Sequence, residues 1–235
     1  MVQLTPNKPY LTLRVKFKKM GSLQYISHLD LVRTMHKIIV RAKLPLWYTE
    51  GFNPKPKMIF AAPLSIGTES MCEYMDIRLI DDIPPEEAMA RLNANMTDEM
   101  QVLEAYYAQT KLTDLKWLSY KIEITTDNAS VSLAEACRAL LLSDEVIVEK
   151  KTKPREPTVT TDIRPLIKSA DCRFIDGVIV LDAVLSADAS LFLNPEYVIK
   201  ALKKGLGILS NPDLTKEYYS ITRLAAFRED MSEFK

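Results

Sequence analysis

The sequence predicts an α+β protein made of two tandem βαββαβ units, each an antiparallel sheet with its helices on one face. Three observations lead there. Strand-length stretches with period-two alternation recur in both halves, amphipathic stretches with helix-start signals stand between them, and the order repeats after residues 109–117. With 235 residues, 47% apolar and 26% charged, the chain has the material for two cores and is not composed like a disordered protein.

Taken in order, 11–20 (LTLRVKFKKM) sets Leu11, Leu13, Val15 and Phe17 against Thr12, Arg14, Lys16 and Lys18, which predicts a half-buried strand. A helix follows over 28–43. Its start is marked by Ser27 and Asp30 in a Ser-x-x-Asp capping pattern, where side chains satisfy backbone N–H groups that the first turn leaves open. Residues 46–56 read as a short strand entering a Pro-rich turn, and 58–66 and 72–80 as further strands, the second alternating only roughly. Pro84 and Pro85 open a helix to about Asn95, with Glu86 and Glu87 near its positive end. A strand over 101–108 closes the unit, here taken as residues 1–110.

Residues 111–235 repeat the plan. Strand 118–125 leads to a helix at 132–143 and a strand at 145–150. Asp176-Gly177 between alternating stretches is a type I′ hairpin signal. Asn194-Pro195 starts a helix that ends near Gly205 and Gly207, and 218–227 supplies the last strand. The intervening 151–161 (KTKPREPTVTT), with Lys151, Lys153 and Arg155 beside Lys150, breaks the pattern and reads as an exposed basic loop.

Charge is balanced overall, 31 basic against 31 acidic side chains, but not locally. Residues 1–60 hold 11 lysines and arginines against two acids, Asp30 and Glu50; residues 61–110 hold ten acids against Arg78 and Arg91. The first segment is expected to expose a basic surface. Three scattered cysteines and two histidines offer neither a disulfide framework nor four clustered zinc ligands, so no metal and no cofactor is expected in this chain. No signal-peptide core and no 18-residue apolar run is present, which predicts a cytoplasmic chain with no membrane partner.

Two stretches carry the candidate site. On the first helix, at 100° per residue, Leu29, Leu31, Val32, Met35, Ile38, Ile39 and Val40 share a broad apolar arc that includes His28 and His36. Arg33, Lys37 and Arg41 at i, i+4 and i+8 form a solvated ridge suited to phosphates. The second stretch, 48–57 (YTEGFNPKPK), sets Tyr48 and Phe52 beside Lys55 and Lys57 on a loop shaped by Pro54, Pro56 and Gly51. Rings interleaved with cations suit single-stranded RNA, whose bases stack while its phosphates pair. Catalytic candidates are His28 as a general base, with Asp30 or Tyr48 assisting.

The runs Val15-Lys16-Phe17, Ser27-His28-Leu29-Asp30-Leu31, Leu44-Pro45-Leu46, Tyr48-x-Glu50-Gly51-Phe52-Asn53-Pro54-x-Pro56-Lys57 and Pro63-Leu64-x-Ile66-Gly67 resemble the bacterial "radical SAM-linked" domain family of uncharacterised function. The resemblance is specific over residues 10–105 and looser beyond, where Asp162-Ile163-Arg164-Pro165 matches best. That family's domain occurs alone or attached to a radical-SAM protein with a cobalamin-type domain, and its genes often neighbour ribonuclease and ribosomal-protein genes. The resemblance therefore implies a radical-SAM partner and an RNA or ribosome context. It carries no established reaction and so no catalytic residues to transfer. Two tandem ferredoxin-like units are also similar in architecture to stand-alone tRNA pseudouridine synthases and CRISPR repeat-processing endoribonucleases. The synthases' Arg-x-Asp-Ala-Gly-like stretch is absent here; the nucleases often use a histidine near the first helix, the place His28 would take.

The leading expectation is an RNA-binding or substrate-presenting accessory module that works with a radical-SAM enzyme. Two alternatives stay open: a protein-interaction module that docks an acidic partner, and an RNA-processing enzyme using His28.

Overall fold

The computed structural model describes residues 10–150 and 159–235. The chain divides into two compact units, one ending at Leu112 and joined by the terminal Lys235, the other running from Thr113 to Phe234.

The first unit runs β1 (Leu11–Lys19), α1 (His28–Arg41), β2 (Met58–Phe60), β3 (Thr68–Leu79), α2 (Pro85–Asn93) and β4 (Met100–Tyr107). Its strands lie in the order β4-β1-β3-β2, every pairing antiparallel. Alternation on β1 sends Leu13, Val15 and Phe17 to one face, where none is exposed. They meet Leu31, Met35, Ile38 and Ile39 of α1 and Ala88 and Leu92 of α2 in one hydrophobic cluster. Both helices therefore cover the same face of the sheet. Each fully buried side chain of this size contributes about 1.5–3 kcal/mol.

Two strands differ in extent from the sequence reading. β2 covers only Met58–Phe60, and β3 begins at Thr68 rather than Cys72. Residues 72–77 of β3 are all buried, so the strand has no solvent face to impose alternation.

The second unit runs β5 (Trp117–Thr125), α3 (Val131–Leu141), β6 (Ile147–Lys150), β7 (Val159–Asp162), β8 (Ile167–Ile175), β9 (Val178–Ser186), α4 (Glu196–Leu206) and β10 (Tyr218–Phe227). Its sheet order is β10-β5-β9-β8, again antiparallel throughout. Asp176 and Gly177 take φ of +48° and +86°, the left-handed pair that a type I′ turn needs between β8 and β9. Ser130 caps α3 by accepting from the Leu133 N–H at 3.2 Å.

The strand expected at 145–150 is not part of this sheet. Ile147–Lys150 pairs with Val159–Asp162 in a separate two-stranded hairpin, and β8 takes the sheet position expected for it. Residues 159–161 are thus strand, not loop; Lys151, Lys153 and Arg155 lie outside the described residues. A short apolar alternation such as 145–150 shows that a strand forms, but not which partner it takes.

Among the described residues no helix is long and apolar enough to cross a membrane, and no group of three or more metal-binding side chains gathers. Cys72, Cys137 and Cys172 are free and buried.

Candidate nucleic-acid interface

The basic surplus of residues 1–60 does not form one continuous surface. Arg14 is wholly buried on the β1 face opposite the core side chains. Its Nε and Nη2 donate to the two Asp76 carboxylate oxygens at 2.7 and 3.0 Å, and further bonds reach Thr110 Oγ1 and O at 2.8 and 3.0 Å. Lys16 donates to Glu104 at 2.8 Å. The Lys19 ammonium, also buried, donates to the Leu23 and Gln24 carbonyls at 3.0 and 3.3 Å. Carboxylates of the acidic segment 61–110 thus neutralise Arg14 and Lys16, while Lys19 is held by backbone carbonyls. This corrects the expectation that the surplus as a whole faces solvent.

The helix cations are placed differently. α1 starts at the predicted cap: Ser27 Oγ accepts from the Asp30 N–H at 3.1 Å and donates to the Asp30 carboxylate at 2.7 Å. The second bond replaces the reach-back to the Ser27 N–H expected of a capping box. The Ser27 hydroxyl holds the Asp30 carboxyl below its usual range, against a weak upward effect of burial and with help from Arg33. Arg33 pairs with Asp30 at 3.3 Å, while Lys37 and Arg41 make no ion pair among the described residues. All three cations are exposed.

Leu29 and Val40, expected within the apolar arc, are 56% and 48% exposed. At 100° per residue, Leu29, Arg33, His36 and Val40 fall within about 60° of arc, so the ridge carries apolar surface on its flank. The helical angle alone sets these two apolar residues beside the charged ridge, at the margin of the buried arc.

The stretch after α1 closes into a small hairpin. The Thr49 N–H donates to the Lys55 carbonyl at 2.9 Å, the Lys57 N–H to the Trp47 carbonyl at 3.0 Å, and the Lys55 N–H to Thr49 Oγ1 at 3.1 Å. Gly51 at its tip has φ of +122°, accessible to glycine at little cost. Phe52 stands fully in solvent and Tyr48 is exposed; with Thr49, Glu50, Gly51 and Pro54 they border a concavity of about 420 Å³. Lys55 is exposed and Lys57 half-buried. Lys55 also lies close enough to α1 to act on His36, whose pKa falls through burial first and the Lys55 charge second. The Lys55 end of the hairpin thus lies within electrostatic range of α1.

The catalytic candidates do not come together. His28 is exposed, yet its ring stands edge-on to that of Phe60 on β2 with centroids 5.3 Å apart, so it faces a strand of the sheet while staying open to solvent. Asp30 is engaged by Ser27 and Arg33, and Tyr48 sits on the hairpin. Among the described residues no hydrogen bond joins any two of the three. Sequence reasoning missed a neighbouring cluster, in which the Arg78 guanidinium lies 4.0 Å from the Tyr10 ring and 5.8 Å from the Trp47 ring. These residues are far apart in the chain, and the spacing gave no sign of it.

No curated protein matches the chain. Among solved structures it is similar to a chain of a Cbf5-Nop10-Gar1 complex, with a TM-score of 0.52 and 12% identity, covering 93% of this chain and 50% of that one. The chain thus spans half the length of that neighbour, and the likeness is one of fold. An unknown protein from Galdieria sulphuraria aligns over 92% of this chain and 99% of that one at 12% identity, with a TM-score of 0.27. A family model matches residues 12–195, most of the sequence. The chain belongs to the bacterial family described as "Uncharacterized protein conserved in bacteria (DUF2344)".

Proposed function

We propose that this chain is an RNA-binding or substrate-presenting accessory module built of two ferredoxin-like units, and that it works with a radical-SAM protein. The repeated sheet order, β4-β1-β3-β2 and then β10-β5-β9-β8, supports the tandem architecture. The partner rests on the family resemblance of the N-terminal motifs. The RNA reading rests on one observation: Arg33, Lys37 and Arg41 on α1 are exposed, and the hairpin that follows exposes Lys55 with the open rings of Tyr48 and Phe52, Lys57 lying half-buried at its base. Phosphates of a single strand pair with the cations, and bases stack on the rings at about 1–3 kcal/mol each.

The test is anisotropy of a labelled single-stranded RNA against salt, for the wild-type chain and for Arg33→Ala/Lys37→Ala/Lys55→Ala/Lys57→Ala. Removing four phosphate contacts is expected to flatten the log–log salt dependence by about 3, with folding retained. An unchanged slope overturns the reading.

A second reading has its own observation. Leu29 and Val40 expose apolar surface beside Arg33, which suits an amphipathic acidic segment of the radical-SAM partner better than it suits a phosphate chain. In that case association with the partner survives ribonuclease and is lost in Leu29→Glu/Val40→Glu.

A further inference from the structure

The second unit carries a cluster that the reading of α1 and its hairpin does not use. On α4, Tyr197, Lys200, Lys203 and Lys204 share one outward arc at 100° per residue. Val198, Ile199, Ala201 and Leu202 face inward and are buried. The β6–β7 hairpin lies beside this helix and brings Lys150 over the Tyr197 ring, 4.9 Å from its centroid, while Lys200 lies 4.8 Å from the same centroid. The two ammonium groups are thus held no more than about 10 Å apart by one aromatic ring.

The neighbouring carboxylates do not neutralise this pair. Glu149 approaches Lys204 at 3.9 Å, and Glu196 accepts from the Tyr219 hydroxyl at 2.8 Å. Lys150, Lys200 and Lys203 have no carboxylate partner among the described residues. Lys203 and Lys204 have an ordinary explanation, since they stand in the last turn where cations offset the helix dipole. That explanation does not reach Lys150, which is on a different element, or Lys200, a turn earlier.

We infer that Lys150 and Lys200, oriented by Tyr197, form a second phosphate-contacting site in this chain, one that takes the backbone of a single-stranded RNA. The chemistry is charge complementarity on a prepared pair. The ring orients both ammonium groups, and one bridging phosphate, or two successive ones, satisfies charges that no carboxylate among the described residues satisfies. Half-buried Tyr197 acts as a positioning residue, not a stacking platform, because the lysines already occupy the approach to its ring. The site stands on the second unit alone; that its phosphates belong to RNA rests on the RNA-binding reading proposed above.

Its test uses the full-length chain and a labelled oligouridylate of about 20 nucleotides, titrated across salt concentrations. Lys150→Ala/Lys200→Ala is expected to flatten the salt dependence by about 1.4 in log–log slope, at 0.7 per contact. Tyr197→Leu is expected to weaken binding while both charges remain, and Tyr197→Phe to bind as wild type. Both lysines have exposed or half-exposed side chains, and an unchanged thermal midpoint confirms that the pair variant folds. An unchanged slope in that variant overturns the inference, even where the four-residue α1 and hairpin variant loses binding. The converse pattern supports the inference and removes the α1 reading. A wild-type chain that binds no oligouridylate overturns both.

Discussion

Cations on β1 and cations on α1, in one unit and on successive long elements, meet opposite fates. The register of the sheet sets Asp76 of β3 opposite Arg14 and Glu104 of β4 opposite Lys16. A central strand has a neighbour on each side, so every outward side chain has a cross-strand partner about 5 Å away. An exposed helix face offers only positions three and four along the same helix, and on α1 that neighbour is Asp30, which serves Arg33 alone. Cations of one sequence segment are therefore divided by secondary structure into a buried structural set and an open set free to meet a ligand.

The largest expected effect breaks this contrast on stability. Arg14→Ala leaves the Asp76 carboxylate buried without its counter-ion, and urea unfolding is expected to show a loss of ~3–5 kcal/mol. Arg33→Ala removes a pair whose side chains are 65% and 57% exposed, and is expected to cost less than ~1 kcal/mol. Similar costs for the two would abolish the distinction. Next in size is the helix cap: Ser27→Ala is expected to lower stability by ~1 kcal/mol, because the Asp30 N–H loses its acceptor. A thermal midpoint identical to wild type would show that the first turn of α1 is held by packing alone.

The smallest effect sharpens the other side of the contrast, the placement of the hairpin against α1. His36 has its pKa lowered by burial and by Lys55, so the folded chain binds its proton less readily than the unfolded one. Its contribution to stability is present above the ordinary histidine value and is lost as pH falls through the lowered one. Lys55→Ala removes the second cause. The His36 ring resonances, followed by NMR titration, are then expected to move at a higher pH than in wild type. A midpoint that stays in place would separate the hairpin from the helix and divide the proposed RNA surface.

Much of the fold was legible from local pattern. β5 alternates without error because one face is buried and the other half-exposed. The start of α1 and the turn at Asp176-Gly177 were readable because capping and left-handed backbone depend on neighbouring residues only. β3 is harder, since burial on both faces erases the period-two signal, and the place of β6 outside the main sheet is not legible because pairing is not encoded in a strand's own pattern. At the candidate site, the Arg33, Lys37 and Arg41 ridge and the Tyr48, Phe52 and Lys55 loop followed from helical angle and turn chemistry. The exposure of His28, Leu29 and Val40 did not.

By itself the sequence determined the α+β class, the starts of α1 and α3, and which face of α1 is charged, because these follow from periodicity and capping over short stretches of backbone. Tertiary structure alone decided which cations are neutralised, that the Lys55 charge acts on His36, and that Lys150 and Lys200 converge on Tyr197. Each of those is a meeting of residues distant in the chain. Charges interact through space, and only the folded backbone says which of them are near.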